Sequence, residues 1–294
     1  MNNYCILYNP FSGNGKGKAA AEALQGKIGN TECVDMTALD GYGEFFAAHP
    51  NSHVIICGGD GTLNRFINDT VGINITTPIS YYASGSGNDF LRDISGSEGE
   101  IISIDKYIER LPTCNVNGKD YKFINGIGYG IDGYCCEVGD ELRRTSDKPI
   151  NYTGIAIKGL LFHYKPTAAT VTVDGVEHKF KKVWIAPTML GRYYGGGMMP
   201  TPSQDRLNEE GAVSAMIFHG TGKLRTLMIF PSLFKGEHVK HEKNISILMG
   251  KNITVEFDSP RALQVDGETI LGVKSYTVRA YTEAALEEKE TANV

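Results

Sequence analysis

His53-Val-Ile-Ile-Cys57 runs directly into Gly58-Gly59-Asp60-Gly61, and that into Thr62-Leu63-Asn64-Arg65-Phe66-Ile67. The first five residues are a short, mostly β-branched run, which predicts a buried strand. The glycines end it. Leu63, Phe66 and Ile67 then fall at helical spacing, with Thr62 as a candidate cap. The same strand–glycine–helix order stands on either side. Residues 4–8 are apolar and stop at Asn9-Pro10; Gly13, Gly15 and Gly17 follow, then the helix-forming stretch 18–24. Residues 79–83 lead into Gly85-Ser86-Gly87 and a short helical segment at 88–92. Three such units in succession predict a parallel sheet with helices packed on it. In sheets of this kind ligands bind beyond the carboxyl ends of the strands. Helix N-termini there offer free N–H groups and partial positive charge, which suit phosphate.

Beyond residue 112 the pattern changes. Short β-like runs occur at 113–116, 121–125, 170–173, 183–186, 213–218, 253–257 and 276–281, punctuated by Asn117-Gly118, Asp174-Gly175 and Asp266-Gly267. This predicts a mostly antiparallel β domain over 113–281, with helical insertions at about 150–164 and 224–234. In the first insertion Ile157, Leu160, Leu161 and Tyr164 form a stripe that reads as core packing. The α/β region is then 1–112, and a Glu-rich tail occupies 282–294.

A length of 294 residues suits two domains. Its net charge of −5 lacks the basic excess that nucleic-acid binding calls for. The six cysteines show no C-x-x-C spacing, so the usual zinc pattern is absent. Neither a signal peptide nor an apolar run of ~18 residues is present, so the expected address is the cytoplasm, with reduced thiols. The outlier is glycine, at 35 residues.

Gly13-x-Gly15-x-Gly17 alone reads equally well as a tight turn; it misses both the Walker A spacing and the G-x-G-x-x-G order. Lys16 reads as a phosphate contact or as a solvent-facing side chain. The second loop is more telling, because a turn does not need Asp60. A site handling magnesium and phosphates, or accepting a hydroxyl proton, does.

The sequence resembles the diacylglycerol kinase catalytic domain group, which includes sphingosine and ceramide kinases and bacterial soluble lipid kinases. The resemblance rests on Asn9-Pro10-Phe11-Ser12-Gly13, Gly58-Gly59-Asp60-Gly61-Thr62-Leu63-Asn64 and Gly85-Ser86-Gly87-Asn88-Asp89-Phe90. It continues through Gly195-Gly196-Gly197-Met198, Gly236-Glu237-His238 and Val265-Asp266-Gly267-Glu268. It implies an N-terminal three-layer α/β domain, a C-terminal β-sandwich domain with a cleft between them, and a tail that returns to the first. It also implies an ATP- and Mg²⁺-dependent kinase acting on a lipid hydroxyl. Asn9 to Gly13 and Gly58 to Asn64 would cradle the nucleotide, with Thr37 and Ser86 reaching its phosphates or ribose. Asn88 and Asp89 would orient the loops, although they also read as a helix start.

Asp60 is the first candidate to handle Mg²⁺-ATP or the acceptor hydroxyl. Glu268 matches the family's proton acceptor, with Asp266 beside it. On a strand these two acids would share one face and raise one another's pKa; Asp266-Gly267 is equally a hairpin turn. In bacterial members a structural Mg²⁺ loop is expected at Leu207, Glu210 and Ala212. The sequence departs from it, with Glu210 and Ser214 where aspartates are usual. Mg²⁺ tolerates such changes of geometry poorly.

Residues 223–243 carry a local charge of +3, with Leu224, Leu227, Met228 and Phe234 interleaved and His238 and His241 able to add charge at low pH. This predicts transient peripheral contact with the inner face of the membrane, or equally an ordinary solvated helix. An exposed sheet edge could pair two chains as a homodimer. An NAD kinase, whose family shares the Gly-Gly-Asp-Gly loop, and a non-catalytic nucleotide- or lipid-binding regulator are the alternatives.

Overall fold

The computed structural model describes residues 3–85, 87–145 and 150–281. Ser86 and the segment 282–294, and with them the expectations placed there, lie outside the described residues. The chain divides into two compact units, Met1–Glu109 and Arg110–Val294.

In the first unit, β1 (Asn3–Tyr8), β2 (Thr31–Asp35), β3 (Ser52–Gly58), β4 (Ile79–Ala83) and β5 (Ile101–Ser103) form a sheet in the order β2-β1-β3-β4-β5. The first four are parallel, and β5 is antiparallel to β4. The helices are α1 (Ser12–Gly15), α2 (Gly17–Ile28), α3 (Tyr42–Ala48), α4 (Asp60–Asp69), α5 (Asp89–Asp93) and α6 (Asp105–Ile108). Strand alternation splits the core into two layers. Ile6, Tyr8, Ile55 and Cys57 meet Ala21 and Leu24 of α2 on one face. Leu7, Val54 and Ile56, which alternate with them in sequence, are equally buried, so both faces are covered. Each fully buried Ile or Leu contributes on the order of 2 kcal/mol. α3 meets α4 edge-on through Tyr42 and Phe66, with ring centroids 5.6 Å apart. α4 begins one turn earlier than the Thr62 cap implies. Gly59 is its N-cap, and Thr62 lies inside the first turn, packed under Gly58.

The second unit is an antiparallel sheet of β6 (Thr113–Val116), β7 (Lys119–Lys122), β8 (Gly126–Tyr129), β9 (Thr167–Val173), β10 (Val176–Val183), β11 (Thr188–Met189), β12 (Val213–Phe218), β13 (Ile245–Gly250), β14 (Asn252–Val265) and β15 (Glu268–Arg279). The first half of β14 pairs with β9 and its end with β8; the register shifts around Arg261 bend the strand between them. All three Asx-Gly signals are hairpin turns with positive φ at both residues, for example 45° and 96° at Asp266 and Gly267. The expected strand at 183–186 is not one: β10 ends at Val183, and Ile185 makes only isolated bridges.

A helix not expected from propensity, α7 (Ile131–Thr145), packs on β14. Its glycines lower helix propensity, yet packing demands one of them. A Cβ on Gly133 would lie 1.9 Å from the Ala262 carbonyl oxygen. The expected helix at 150–164 is α8 (Tyr152–Lys158) followed by a π-turn, Gly159–His163. The wider turn breaks the stripe: Leu160 and Tyr164 are buried, whereas Ile157 is exposed. The insertion near 224–234 is α9 (Lys223–Ile229), which passes into 3₁₀ turns at Phe230–Lys235, where Pro231 removes a donor, and at Glu237–Lys240.

Candidate functional site

The strand order of the first unit reverses between β1 and β3, so their carboxyl ends form its topological switch point. Asn9 to Gly13 leave β1 there, and Gly58 to Gly61 leave β3. The Asn9 turn is held by its own side chain: Oδ1 accepts the Phe11 N–H at 3.0 Å, and its carbonyl accepts the Ser12 hydroxyl at 2.8 Å. Phe11 projects outward and is exposed, and Pro10 precedes it. Gly17, opening α2, has no space for a side chain, since a Cβ there would lie 1.9 Å from the Asn9 carbonyl oxygen. At the end of neighbouring β2, Asp35 Oδ1 accepts both the Thr37 N–H (2.8 Å) and the Thr37 hydroxyl (2.7 Å). Thr37 is therefore fixed at the same end of the sheet as the glycine loops.

The loops after β3 and β4 touch backbone to backbone. A Cβ on Gly85 would lie 2.5 Å from the Gly59 Cα. Asp60 locks the contact. Its Oδ2 accepts the Asp89 N–H at 2.9 Å and its Oδ1 the Phe90 N–H at 3.1 Å, satisfying the first donors of α5. Asn88 precedes them in left-handed conformation, φ 46°, and its Oδ1 is buried without a hydrogen-bond partner among the described residues. Both Asn88 and Asp89 thus start a helix and shape the loop. Leu63 and Asn64 of α4 are buried, and Asn64 accepts from Asn68. Lys16 is exposed.

In the second unit the shared-face expectation for Asp266 and Glu268 fails. Asp266 occupies the hairpin turn, where strand alternation does not apply. Its carboxylate accepts three backbone N–H groups, from Ile124 (2.6 Å), Asn125 (3.0 Å) and Gly126 (2.9 Å). Glu268 opens β15 opposite Val265 and is exposed. The turn between them is fixed by Gln264, whose Oε1 accepts the Gly267 N–H at 2.6 Å.

The loop with Leu207, Glu210 and Ala212 does not fit a metal ion. The Ala212 carbonyl accepts from the amides of Gln204 and Asn208, both at 2.9 Å, which uses the lone pairs an ion would need. Glu210 points away to Lys251, 3.8 Å distant. The Leu207 N–H is held by Asp205 at 2.9 Å. Side-chain amides close this loop in place of magnesium.

The arrangement in the first unit brings helix N-termini and thin glycine backbone together at a switch point, a geometry that suits phosphate. Residues 3–113 match the diacylglycerol kinase catalytic domain, and residues 125–284 match the YegS C-terminal NAD kinase beta sandwich-like domain. The chain belongs to the diacylglycerol kinase catalytic domain family. It is 25% identical over 268 residues to a diacylglycerol kinase of Mycobacterium tuberculosis (strain CDC 1551 / Oshkosh), with 85% of this chain and 84% of that one covered. Its fold is shared with the solved structure of a diacylglycerol kinase from Bacillus anthracis str. Sterne: TM-score 0.63 at 18% identity, covering 97% and 98% of the two chains. Membership of this family of kinase-type, nucleotide-using transferases agrees with the resemblance carried by the motifs.

The motifs of this kinase family do not include Asp132, which the structure draws into the same part of the second unit as the Glu268 turn. Asp132 begins α7, is buried, and accepts a hydrogen bond from Gln264 at 2.9 Å, the residue that also fixes Gly267. Gly128 makes room for it: a Cβ there would lie 1.4 Å from its Oδ2. The hydroxyl of Tyr194, next to the Gly195–Gly197 run, is also buried and lacks a hydrogen-bond partner among the described residues. Burial pushes the Asp132 carboxyl up to about 6, with the Gln264 hydrogen bond opposing. An acid beside a buried glycine pair was the available sequence signal, in Gly128-x-Gly130-x-Asp132.

Two expectations follow from this geometry. Gly85→Ala forces the two loops apart and costs ~1–3 kcal/mol, whereas Gly61→Ala, which meets nothing within 4 Å, stays within ~0.5 kcal/mol of the parent; urea unfolding compares them. For Asp132 the folded-state pKa is raised above the unfolded one, so the native state holds the proton longer. Stability therefore falls as pH rises from about 4 to 6, by ~3 kcal/mol in all. Asp132→Asn removes that component, so the difference between wild-type and variant stability changes across this window; a constant difference from pH 4 to 8 contradicts the assignment.

Proposed function

We propose that this protein transfers the γ-phosphoryl group of ATP, bound with Mg²⁺, to the hydroxyl of a diacylglycerol-like lipid. The observation that carries the reading is the pair of glycine loops after β3 and β4, locked by Asp60 beside the switch point, within a family of lipid kinases. Phosphoryl transfer asks mainly for positioning and charge neutralisation. The loops Asn9 to Gly13 and Gly58 to Asn64 cradle the phosphates with the backbone N–H groups their turns leave over, since Pro10 has none and those of Phe11, Ser12, Thr62 and Leu63 are spent within the turns. Thr37 supplies a hydroxyl whose orientation Asp35 sets. Asp60 keeps a second lone pair on each oxygen beyond those used by α5, which would be available to Mg²⁺ bound with the nucleotide.

Glu268 accepts the proton of the attacking hydroxyl. Asp266 acts through it: by binding three N–H groups it anchors the turn from which Glu268 projects. Exposure suits Glu268 to meet a lipid headgroup, as the fully engaged Asp266 does not. A general base of this kind is worth ~10²–10⁴ in rate. Glu268→Gln therefore lowers kcat by at least ~10²-fold with KM for ATP little changed. The test is label transfer from ATP to a panel of diacylglycerol, sphingoid, phosphatidylglycerol and NAD acceptors. Labelled NAD alone supports a nicotinamide-nucleotide kinase instead, a reading favoured by the description of the second unit's family. Nucleotide binding without any transfer supports a regulator. Asp60→Ala would confuse chemistry with folding, since it releases α5; Asp60→Asn keeps one of the two acceptors, so its thermal midpoint is measured beside its activity to separate the two effects.

No helix among the described residues is long and apolar enough to cross a membrane, so the lipid is met at a surface. On α9, Thr226 and Ile229 face inward, while Leu224 and Met228 project outward, 75% and 81% exposed. Phe162 of the adjoining π-turn is 72% exposed, and the Lys223 ammonium donates to the neighbouring Leu161 carbonyl at 2.6 Å. Arg225, Lys223 and Lys235 add positive charge around these apolar groups. His238 does not contribute, contrary to the sequence expectation: it is buried on the Pro200 carbonyl, and burial lowers its pKa. The peripheral contact is thus an apolar wedge with a basic rim, each basic group worth on the order of 1 kcal/mol on anionic lipid. Leu224→Ser with Met228→Ser weakens sedimentation with anionic vesicles while leaving transfer to detergent-dispersed lipid intact. Equal binding of the parent to neutral and anionic vesicles would remove the electrostatic part.

A further inference from the structure

Three side chains of the first unit converge away from the glycine loops. Cys5 of β1 and Glu32 of β2 are register partners in parallel strands, so both point to one face of the sheet. His49, at the C-terminus of α3, reaches the same place. The Sγ of Cys5, a carboxylate oxygen of Glu32 and a ring nitrogen of His49 all lie within 4.8 Å of one another. The site lies on the early residues of β1 and β2, whereas the nucleotide loops leave the other ends of the same strands.

The imidazole is already arranged as a ligand. His49 Nδ1 stands 2.8 Å from the Phe45 carbonyl oxygen, which can only accept, so Nδ1 carries the hydrogen. In the neutral ring Nε2 then presents a lone pair, and it faces Glu32 Oε2 at 3.2 Å. Two acceptors at that distance require a cation between them: a proton on Nε2, or a metal. A backbone carbonyl on the distal ring nitrogen is the usual outer partner of a metal-bound histidine. Two N or O ligands of one tetrahedral zinc stand ~3.3–3.6 Å apart, close to the observed separation. The third donor is what a plain ion pair does not explain. The Cys5 thiol is buried against the pair. Phe45 stacks on the His49 ring with centroids 4.5 Å apart, holding the imidazole in place.

We propose that Cys5, Glu32 and His49 form a binding site for a zinc-class divalent ion, with water as fourth ligand. Sulfur, imidazole and carboxylate together select a borderline-soft ion over Mg²⁺ or Ca²⁺. Binding displaces the thiol proton to solvent and forms a metal–thiolate bond. The ion enters from the side of Glu32, whose side chain is 62% exposed, past His49 at 22%. It joins the edge strand β2 to β1 and to the end of α3. Because β2 ends at Asp35, which holds Thr37, the ion stiffens the strand that carries one of the proposed nucleotide contacts.

The test is a Co²⁺ titration of the metal-stripped full chain, followed by displacement with Zn²⁺. One Co²⁺ per chain with a thiolate-to-cobalt absorption band is expected, lost on adding one Zn²⁺. Cys5→Ser abolishes the band, His49→Gln weakens Zn²⁺ binding by at least ~10-fold, and Cys33→Ser leaves both unchanged. Zn²⁺ raises the thermal midpoint of the parent but not of Cys5→Ser. Absence of the band in the parent, its survival in Cys5→Ser, or undiminished Zn²⁺ affinity in His49→Gln overturns the proposal. If Cys5→Ser does not fold, His49→Gln, at an accessible helix end, decides alone.

Discussion

The carboxylate of Asp60 accepts the first two N–H groups of α5, and the loop geometry of the first unit depends on those bonds. Gly59 and Gly85 can meet Cα to Cα only because neither has a side chain, but absence of a side chain supplies no attraction. Asp60 supplies it, by charge-assisted hydrogen bonds from one loop to the helix that follows the other. α5 is too short to be stable by itself; its start is pinned by an acid from α4. That places three helix starts, of α2, α4 and α5, at the carboxyl ends of adjacent strands. The proposed nucleotide would therefore meet the starts of α2 and α4, since Asp60 already takes the first donors of α5.

The second unit uses the same device. Asp266 gathers the N–H groups of Ile124, Asn125 and Gly126, while Arg206 holds the Ile124 carbonyl at 3.2 Å. A segment preceding β8 is thereby satisfied on both its donor and acceptor sides by residues far along the chain. Gln264 joins this arrangement to Asp132 by donating to one and accepting from the Gly267 N–H. The turn that presents Glu268 is therefore over-determined, by a nest beneath it and an amide beside it. Such rigidity is what a base must have if its contribution is to be positional as well as chemical.

The layered first unit was legible because its signals are local. β4 was read at its observed bounds, and β1 and β3 to within a residue at each end, since a buried parallel strand is a continuous apolar run closed by glycine. The Asx-Gly hairpins were legible for the same reason. α7 was not, because Gly133 and Gly139 serve contacts with Ala262 and Tyr152 that no local pattern records. The π-turn at Gly159–His163 was hidden for a related reason: one extra residue per turn destroys a periodic stripe without changing composition. Within the site, motif matching located the loops but could not divide acids that build from acids that react. That division depends on hydrogen-bond partners 29 to 142 positions away in sequence.

The division bears on how acidic motifs are weighed. Of the four acids expected to react or to bind metal, Asp60 and Asp266 spend their charge on backbone donors, and Glu210 on a surface lysine. Only Glu268 stands exposed on a fixed turn. The loop at Asn208 carries the same logic further. Where a divalent ion would gather carbonyls, the amides of Gln204 and Asn208 donate to the Ala212 carbonyl, and Ser214 donates to Gln204 Oε1 at 2.5 Å. Replacing an aspartate by Ser214 removes a charge that an ion would have neutralised, and replacing the ion by neutral amides removes the charge that the aspartate would have answered. The loop therefore closes on neutral partners without an ion. It leaves the second unit's architecture intact and, with it, the support beneath Glu268.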